Sequence, residues 1–120
     1  MIFDTNILIY LSKYIISPQD IITTNSAISI ITKIEALGFG FKNPEEHNLL
    51  SAICNELKII PLSDNIAEET IRLRTKYKIK LPDAIIYATS VVEGLPLLTN
   101  NTADFKLLDG KVKLINPFST

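Results

Sequence analysis

Short apolar runs alternate along this chain with longer stretches in which apolar residues recur at helical spacing. Residues 1–3 read as a strand and 5–12 as a helix opening on Thr5. The stretch 13–26 is irregular or a short helix, interrupted by Ser17-Pro18. Ala27 to Ile30 reads as a second short strand, passing into a helix over roughly 31–38 that ends at Gly38. Thr32, Glu35 and Ala36 then share one helical face by their three- and four-residue spacing. The pattern is plainest after Asn43, which can cap a helix whose first position suits Pro44 and whose positive end suits Glu45 and Glu46. Leu49, Ile53 and Leu57 repeat along it, flanked by Leu50 and Cys54, as a core stripe. Lys58 to Leu62 reads as a strand, and 64–77 as a helix with Asp64 near its start and a Glu68–Arg72 pair one turn apart. Pro82 opens a helix over about 82–92, apolar nearly all round and therefore buried, with Asp83 in its first turn. Leu95–Thr99 and Val112–Ile115 are the last two strands. Strands separated by helices predict a parallel sheet covered on both faces.

Length and composition narrow the picture. At 120 residues with 47% hydrophobic content, the chain is expected to form a single domain over residues 1–120 around one core. Its apolar runs are too short to cross a bilayer. No basic leader and cleavage site precede the first strand, and Cys54 is alone, so a reducing, cytoplasmic setting is expected. One histidine and one cysteine cannot build a tetrahedral zinc site. His47 lies in the first turn of a capped helix and is expected at the surface rather than in a nucleophilic triad. None of the four glycines falls in a phosphate-loop spacing. Catalysis therefore has to come from carboxylates, and hard oxygen ligands favour Mg²⁺ or Mn²⁺.

Asp4 is the first such carboxylate, placed where a strand ends and a helix begins, the usual ligand-binding position of α/β sheets. Glu35, Asp83 and the Asn101/Asp104 pair recur at comparable boundaries. Taken singly each has a plain structural explanation: Asp4 as a helix cap, Glu35 as a surface residue, Asp83 as compensation of a helix dipole. Together they suggest an acidic pocket that holds a divalent cation. The net charge of −1 does not by itself point to nucleic acid. Arg72, Arg74, Lys76, Lys78 and Lys80, however, fall close together with no acid among them, just before Asp83. They read either as a solvated helix end or as a phosphate-steering patch.

Phe3-Asp4-Thr5-Asn6, the segment Ser29 to Glu35, the run Leu81 to Ser90, the run Leu97 to Phe105 and the closing Val112 to Phe118 together resemble a PIN domain. The similarity is greatest to the small toxin ribonucleases of the VapC type, and it covers nearly the whole chain. The resemblance implies a three-layer α/β/α fold with a central, mainly parallel sheet and an acidic pocket at one edge. It implies Asp4 and Asp83 as principal Mg²⁺ or Mn²⁺ ligands, Glu35 as the third acid, and Asn101 and Asp104 as further ligands. Thr5 and Asn6 would contact these groups or the substrate, and Thr99 would support the pocket wall. It further implies an RNA substrate, a homodimer and a cognate antitoxin protein. Two departures stand out: Asn101 replaces an aspartate common in relatives and leaves one- or two-metal catalysis open, and Asn100 stands where relatives often carry an arginine. The expected activity is endoribonucleolytic hydrolysis, with Asp4, Glu35 and Asp83 catalytic and the cations of 72–80 on the RNA backbone. The rival readings are a PIN-like binding or regulatory module without activity and, more remotely, a haloacid dehalogenase-type phosphatase, which would want an aspartate where Asn6 stands. Ile15, Ile16, Ile21 and Ile22 are read either as part of a dimer surface or as cover for the core.

Overall fold

The computed structural model describes residues 1–41 and 43–118, and at its centre a parallel sheet gathers the short apolar runs. Ile2–Phe3 (β1) leads into Thr5–Ser12 (α1), and the short helix Pro18–Ile21 (α2) occupies part of the next segment. Ala27–Ser29 (β2) passes directly into Ile30–Leu37 (α3), followed by Pro44–Glu56 (α4) and Lys58–Ile60 (β3). Asp64–Lys76 (α5) and Leu81–Glu93 (α6) are consecutive helices, and Leu97–Leu98 (β4), Thr102–Phe105 (α7) and Leu114–Ile115 (β5) complete the order. The strands lie side by side as β3-β2-β1-β4-β5, and every pairing is parallel.

Side chains alternate between the two faces of a strand, and here that alternation divides the core in two. Phe3, Ile28 and Leu98 point into one cluster, with Ile7, Leu8, Leu50, Ile53 and Cys54 from α1 and α4. Their strand neighbours Ile2, Ala27 and Leu97 point into the other, with Ile66, Leu73, Ile86 and Tyr87 from α5 and α6. Both faces are thereby covered, as a parallel sheet requires. Asn43 caps α4 as its sequence signal predicts, accepting from the Glu45 amide at 3.0 Å; Ser63, one residue before the expected Asp64, caps α5 by accepting from the Ile66 amide at 3.2 Å, and Gly94 ends α6 with φ 66°. No helix among the described residues is long and apolar enough to cross a membrane.

The strands are shorter than the apolar runs that predict them. The run from Lys58 stops pairing at Ile60, where Pro61 brings no N–H to the ladder. The run Leu95–Thr99 contributes only Leu97–Leu98 to the sheet, although the Pro96 carbonyl still accepts from the Ile2 amide at 2.8 Å. The run Val112–Ile115 narrows to Leu114–Ile115. Ile30 belongs to α3 rather than to β2, because the Ser29 side chain caps the helix by accepting from the Ile31 amide at 3.2 Å. The expected Glu68–Arg72 pair is replaced by Glu69–Arg72, three residues apart. Of the four isoleucines in segment 13–26, only Ile15 is exposed; Ile16 is buried, and Ile21 and Ile22 pack against the first cluster. His47 is exposed and Cys54 buried.

Candidate active site

Parallel strands bring all their carboxyl ends to one edge of the sheet, and Asp4 leaves β1 at that edge. It is 5% exposed and caps α1, its Oδ1 accepting from the Thr5 amide at 2.8 Å. Its Oδ2 accepts from the fully buried Thr99 hydroxyl at 2.7 Å. Thr99 directly follows β4, the strand beside β1, and its own amide pairs with the Ile115 carbonyl of β5. Both Asp4 oxygens are thus aimed by adjacent strand ends. Burial raises the Asp4 carboxyl above its ordinary range, and the two hydrogen bonds offset only part of that rise.

Glu35 reaches the same place from the second turn of α3. The Thr5 hydroxyl donates to its Oε1 at 2.8 Å and lies 3.3 Å from the Thr32 hydroxyl. Thr5 therefore joins α1 to α3 and fixes where the Glu35 carboxylate points. Asp83 enters from the first turn of α6, half-buried. Its pKa is raised first by burial, then by the nearby charges of Asp4 and Glu35; Asp104 adds to the rise and Lys80 opposes it. Repulsion of this kind arises only when several carboxylates share a small space.

That space is a cleft of about 660 Å³ lined by Asp4, Thr5, Asn6, Glu35, Asp83, Asn101 and Asp104, with Tyr77 to Lys80, Pro82, Phe105, Leu107 and Leu108 as its walls. All the acids singled out by the sequence therefore meet in one cleft, with Thr99 behind Asp4. The donors are oxygens, which suit Mg²⁺ or Mn²⁺. Among the described residues, no three histidine, cysteine or acidic side chains converge closely enough to hold one ion. An ion in this geometry would take few protein oxygens and complete its shell with water and substrate oxygens, as Mg²⁺ commonly does. The donor chemistry fits a hard cation; a closed protein cage is not what the chain builds.

The basic patch does not behave as one unit. Lys78 and Lys80 line the acidic cleft, Arg74 and Lys78 line an adjoining one, and Lys76 lines neither. Arg72, expected among the phosphate contacts, is instead committed to Glu69 and Asp109, two carboxylates that raise its pKa further. Several cleft residues were not anticipated from sequence: Tyr77 and Ile79, and Leu107 and Leu108 beyond α7. Asn100 was expected only as a missing arginine, yet its Nδ2 donates to the Tyr10 hydroxyl at 2.8 Å and ties the β4–α7 turn to α1. A helix of four residues is too short to leave a periodic signal, so α7 itself had no trace beyond Asn101 and Asp104.

The sequence matches the PIN domain family over residues 1–111. Among solved structures, a toxin–antitoxin complex from Klebsiella pneumoniae contains a chain 36% identical to this one, with a TM-score of 0.78 and coverage of 99% of this chain and 98% of that one. VapBC2 from Rickettsia felis, bound to a DNA fragment from their promoter, contains a chain 25% identical, with a TM-score of 0.79 and coverage of 97% and 98%. DNA-bound VapBC from Salmonella typhimurium shares the fold at 18% identity, with a TM-score of 0.81 and coverage of 96% of each chain. No protein with a curated description matches the chain.

Proposed function

Because this chain belongs to the PIN domain family, we propose that it is a metal-dependent endoribonuclease, the toxin of a two-protein toxin–antitoxin pair. One observation carries the nuclease reading: Asp4, Glu35, Asp83 and Asp104 come from four separate segments to one cleft, where burial first and then the charges of the other three raise the Asp83 pKa. Carboxylates crowded without a full complement of cations are a site prepared for one. The toxin reading rests on the likeness to one chain in each of the Klebsiella pneumoniae and Rickettsia felis complexes, over nearly the full length of that chain. It brings with it a cognate antitoxin as partner, a homodimer as the working form and the cytoplasm as the setting.

In this reading Asp4 and Asp83 would be the principal ligands of Mg²⁺ or Mn²⁺, with Glu35 as the third acid, Asp104 as a further ligand and Asn101 offering one neutral oxygen. The ion, when bound, supplies positive charge to the scissile phosphate and lowers the pKa of the attacking water. Thr5 and Thr99 keep the carboxylates aimed, since each donates to one of them. Glu35 accepts the proton of the attacking water while the water oxygen bonds to phosphorus. The bond to the 3′ oxygen breaks, that oxygen takes a proton from solvent, and the products are a 3′-hydroxyl and a 5′-phosphate. Asn6, Lys78 and Lys80, all exposed and all lining this cleft, would meet the RNA.

A module without activity is the second reading. It is favoured by the neutral Asn101 and by the absence, among the described residues, of three acids converging on one ion. One experiment separates the two: cleavage of a mixed pool of end-labelled RNAs with Mn²⁺ or Mg²⁺, comparing wild type, Asp83→Asn and an EDTA control. Metal-dependent cutting that falls by about 100-fold or more in Asp83→Asn is expected, given the several kcal/mol such a cation contributes. Equal cutting by the variant would discard the site assignment. Neither cutting nor binding of Mn²⁺ by the wild type would leave the inactive module.

A further inference from the structure

Beside the acidic cleft lies a second, open one of about 530 Å³, lined by Thr70, Ile71, Arg74, Thr75, Tyr77, Lys78, Ile79 and Leu81. It is continuous with the first: Tyr77, Lys78 and Ile79 border both. Its composition is the reverse of its neighbour's. No acid lines it, and Arg74 and Lys78 are both exposed and, among the described residues, in no ion pair. Arg72, two residues before Arg74 and on another face of α5, is held by Glu69 and Asp109. The same cleft also exposes apolar side chains, Ile71 being 56% and Leu81 48% exposed.

We infer that this cleft is a binding subsite for a stretch of single-stranded RNA flanking the phosphate that is cut. The inference rests on the nuclease reading above and gives it a direction: the chain leaves the acidic cleft past Lys78 and runs along α5 toward Arg74. Charge and surface type both favour this occupant. A single strand offers phosphates to Arg74 and Lys78 and unpaired bases to Ile71, Leu81 and the edge of Tyr77. A duplex hides its base faces and has no use for the apolar strip. The volume of about 530 Å³ lies within the range of about 300–1,000 Å³ usual for clefts that take small ligands, enough to seat a nucleotide of the strand. The arrangement also solves a problem of the acidic cleft, whose carboxylates repel phosphate: the attraction for the strand is placed next to the reacting position instead of within it.

The test is fluorescence anisotropy with labelled oligouridylates in EDTA, so that nothing is cut. Oligomers of about four and about twelve nucleotides bracket the site sizes of single-strand binders. Wild type should bind the longer oligomer about tenfold more tightly at low salt. The Arg74→Ala/Lys78→Ala pair should lose that advantage, and its log K against log[salt] plot should flatten by about 1.4 for two lost phosphate contacts. The charge-matched control is Lys58→Ala/Lys113→Ala. Lys58 opens β3 and Lys113 precedes β5, so both exposed lysines sit at the amino ends of their strands, away from the edge where Asp4 leaves β1, and neither lines either cleft. The control should behave as wild type. Equal losses in the two pairs would reduce the cleft to a general charge effect and overturn the inference. A wild type that cuts RNA but shows no length advantage would overturn the subsite and leave the nuclease standing. A wild type that neither cuts RNA nor binds either oligomer would remove both.

Discussion

Asp83 and Asp109 are both partly buried aspartates at the C-terminal half of the fold, and their surroundings drive them in opposite directions. At Asp83, burial raises the pKa, and Asp4 and Glu35 raise it further against Lys80. At Asp109 burial pushes up too, but hydrogen bonds from Arg72, the Lys111 amide and Tyr87 outweigh it and hold the carboxyl below its ordinary range. The Tyr87 hydroxyl donates to Asp109 Oδ1 at 2.9 Å and the Lys111 amide to the same oxygen at 3.2 Å, leaving Oδ2 to Arg72. Burial, then this hydrogen bond, pushes the Tyr87 phenol up to about 12. Tyr87 in turn stacks on Phe105 at 5.9 Å between centroids, and Phe105 sits one residue beyond Asp104 in α7. One carboxylate thus has its countercharge built in and fastens the last third of the chain to α5 and α6. The other is left short of positive charge beside three more acids. A satisfied charge network holds structure; an unsatisfied one lowers stability and is free to bind.

The contrast is most exposed to a divalent cation. Mg²⁺ or Mn²⁺ at a hundredfold excess over its Kd is expected to stabilise the wild type by about 2.7 kcal/mol, read as a rise in Tm. Asp83→Asn should lose most of that rise while melting no lower than wild type without metal, because it relieves repulsion. A metal-induced shift that persists unchanged in the variant would place the ion elsewhere.

Asp109→Ala tests the other half. It removes three hydrogen bonds, one of them to a guanidinium, and is expected to cost about 2 kcal/mol, seen as a lower urea midpoint with the same slope. Tyr87→Phe deletes a single one of those bonds and should cost about 1 kcal/mol. If Asp109→Ala were neutral, the network would be decoration and the comparison would fail on that side.

The smallest effect is with pH in the absence of metal, and its sign differs between the two sites. Asp83 has a raised folded pKa, so its ionised form destabilises at neutral pH and the loss is relieved as pH falls through that pKa toward the ordinary aspartate value of 3.8. Asp109 has a depressed folded pKa, so its contribution is complete above 3.8 and disappears as pH falls through the lower folded value. Thermal melts should therefore show stability gained on mild acidification and lost at stronger acidity. Asp83→Asn should flatten the first limb and Asp109→Asn the second.

Much of this was legible before the chain was folded. The long helices announce themselves through caps and periodicity that act within a few residues: Asn43-Pro44 for α4, Asp64 for α5, Pro82 and Gly94 for α6. The acids near strand and helix ends were legible only as a set: singly each has a structural use, as Asp4 shows by capping α1, and it is their recurrence at comparable boundaries that pointed to one pocket. Strand lengths were mostly not, because the reach of a neighbouring strand decides where pairing stops; at Pro61 alone a local signal, the proline's missing N–H, stood in the run and marked its end. Nor was α7, whose four residues carry no period.

The sequence by itself determined the alternation of strands and helices, the faces that would be buried and which carboxylates stand near strand and helix ends, because caps, periodicity and side-chain chemistry are local properties. Only the tertiary structure decided which charges are spoken for. Arg72 and Lys78 look alike in the basic run, yet one is paired with Asp109, 37 residues away, and the other stands at the junction of two clefts. Electrostatic energy depends on distances through space, and those distances exist only once the sheet has brought the distant segments together.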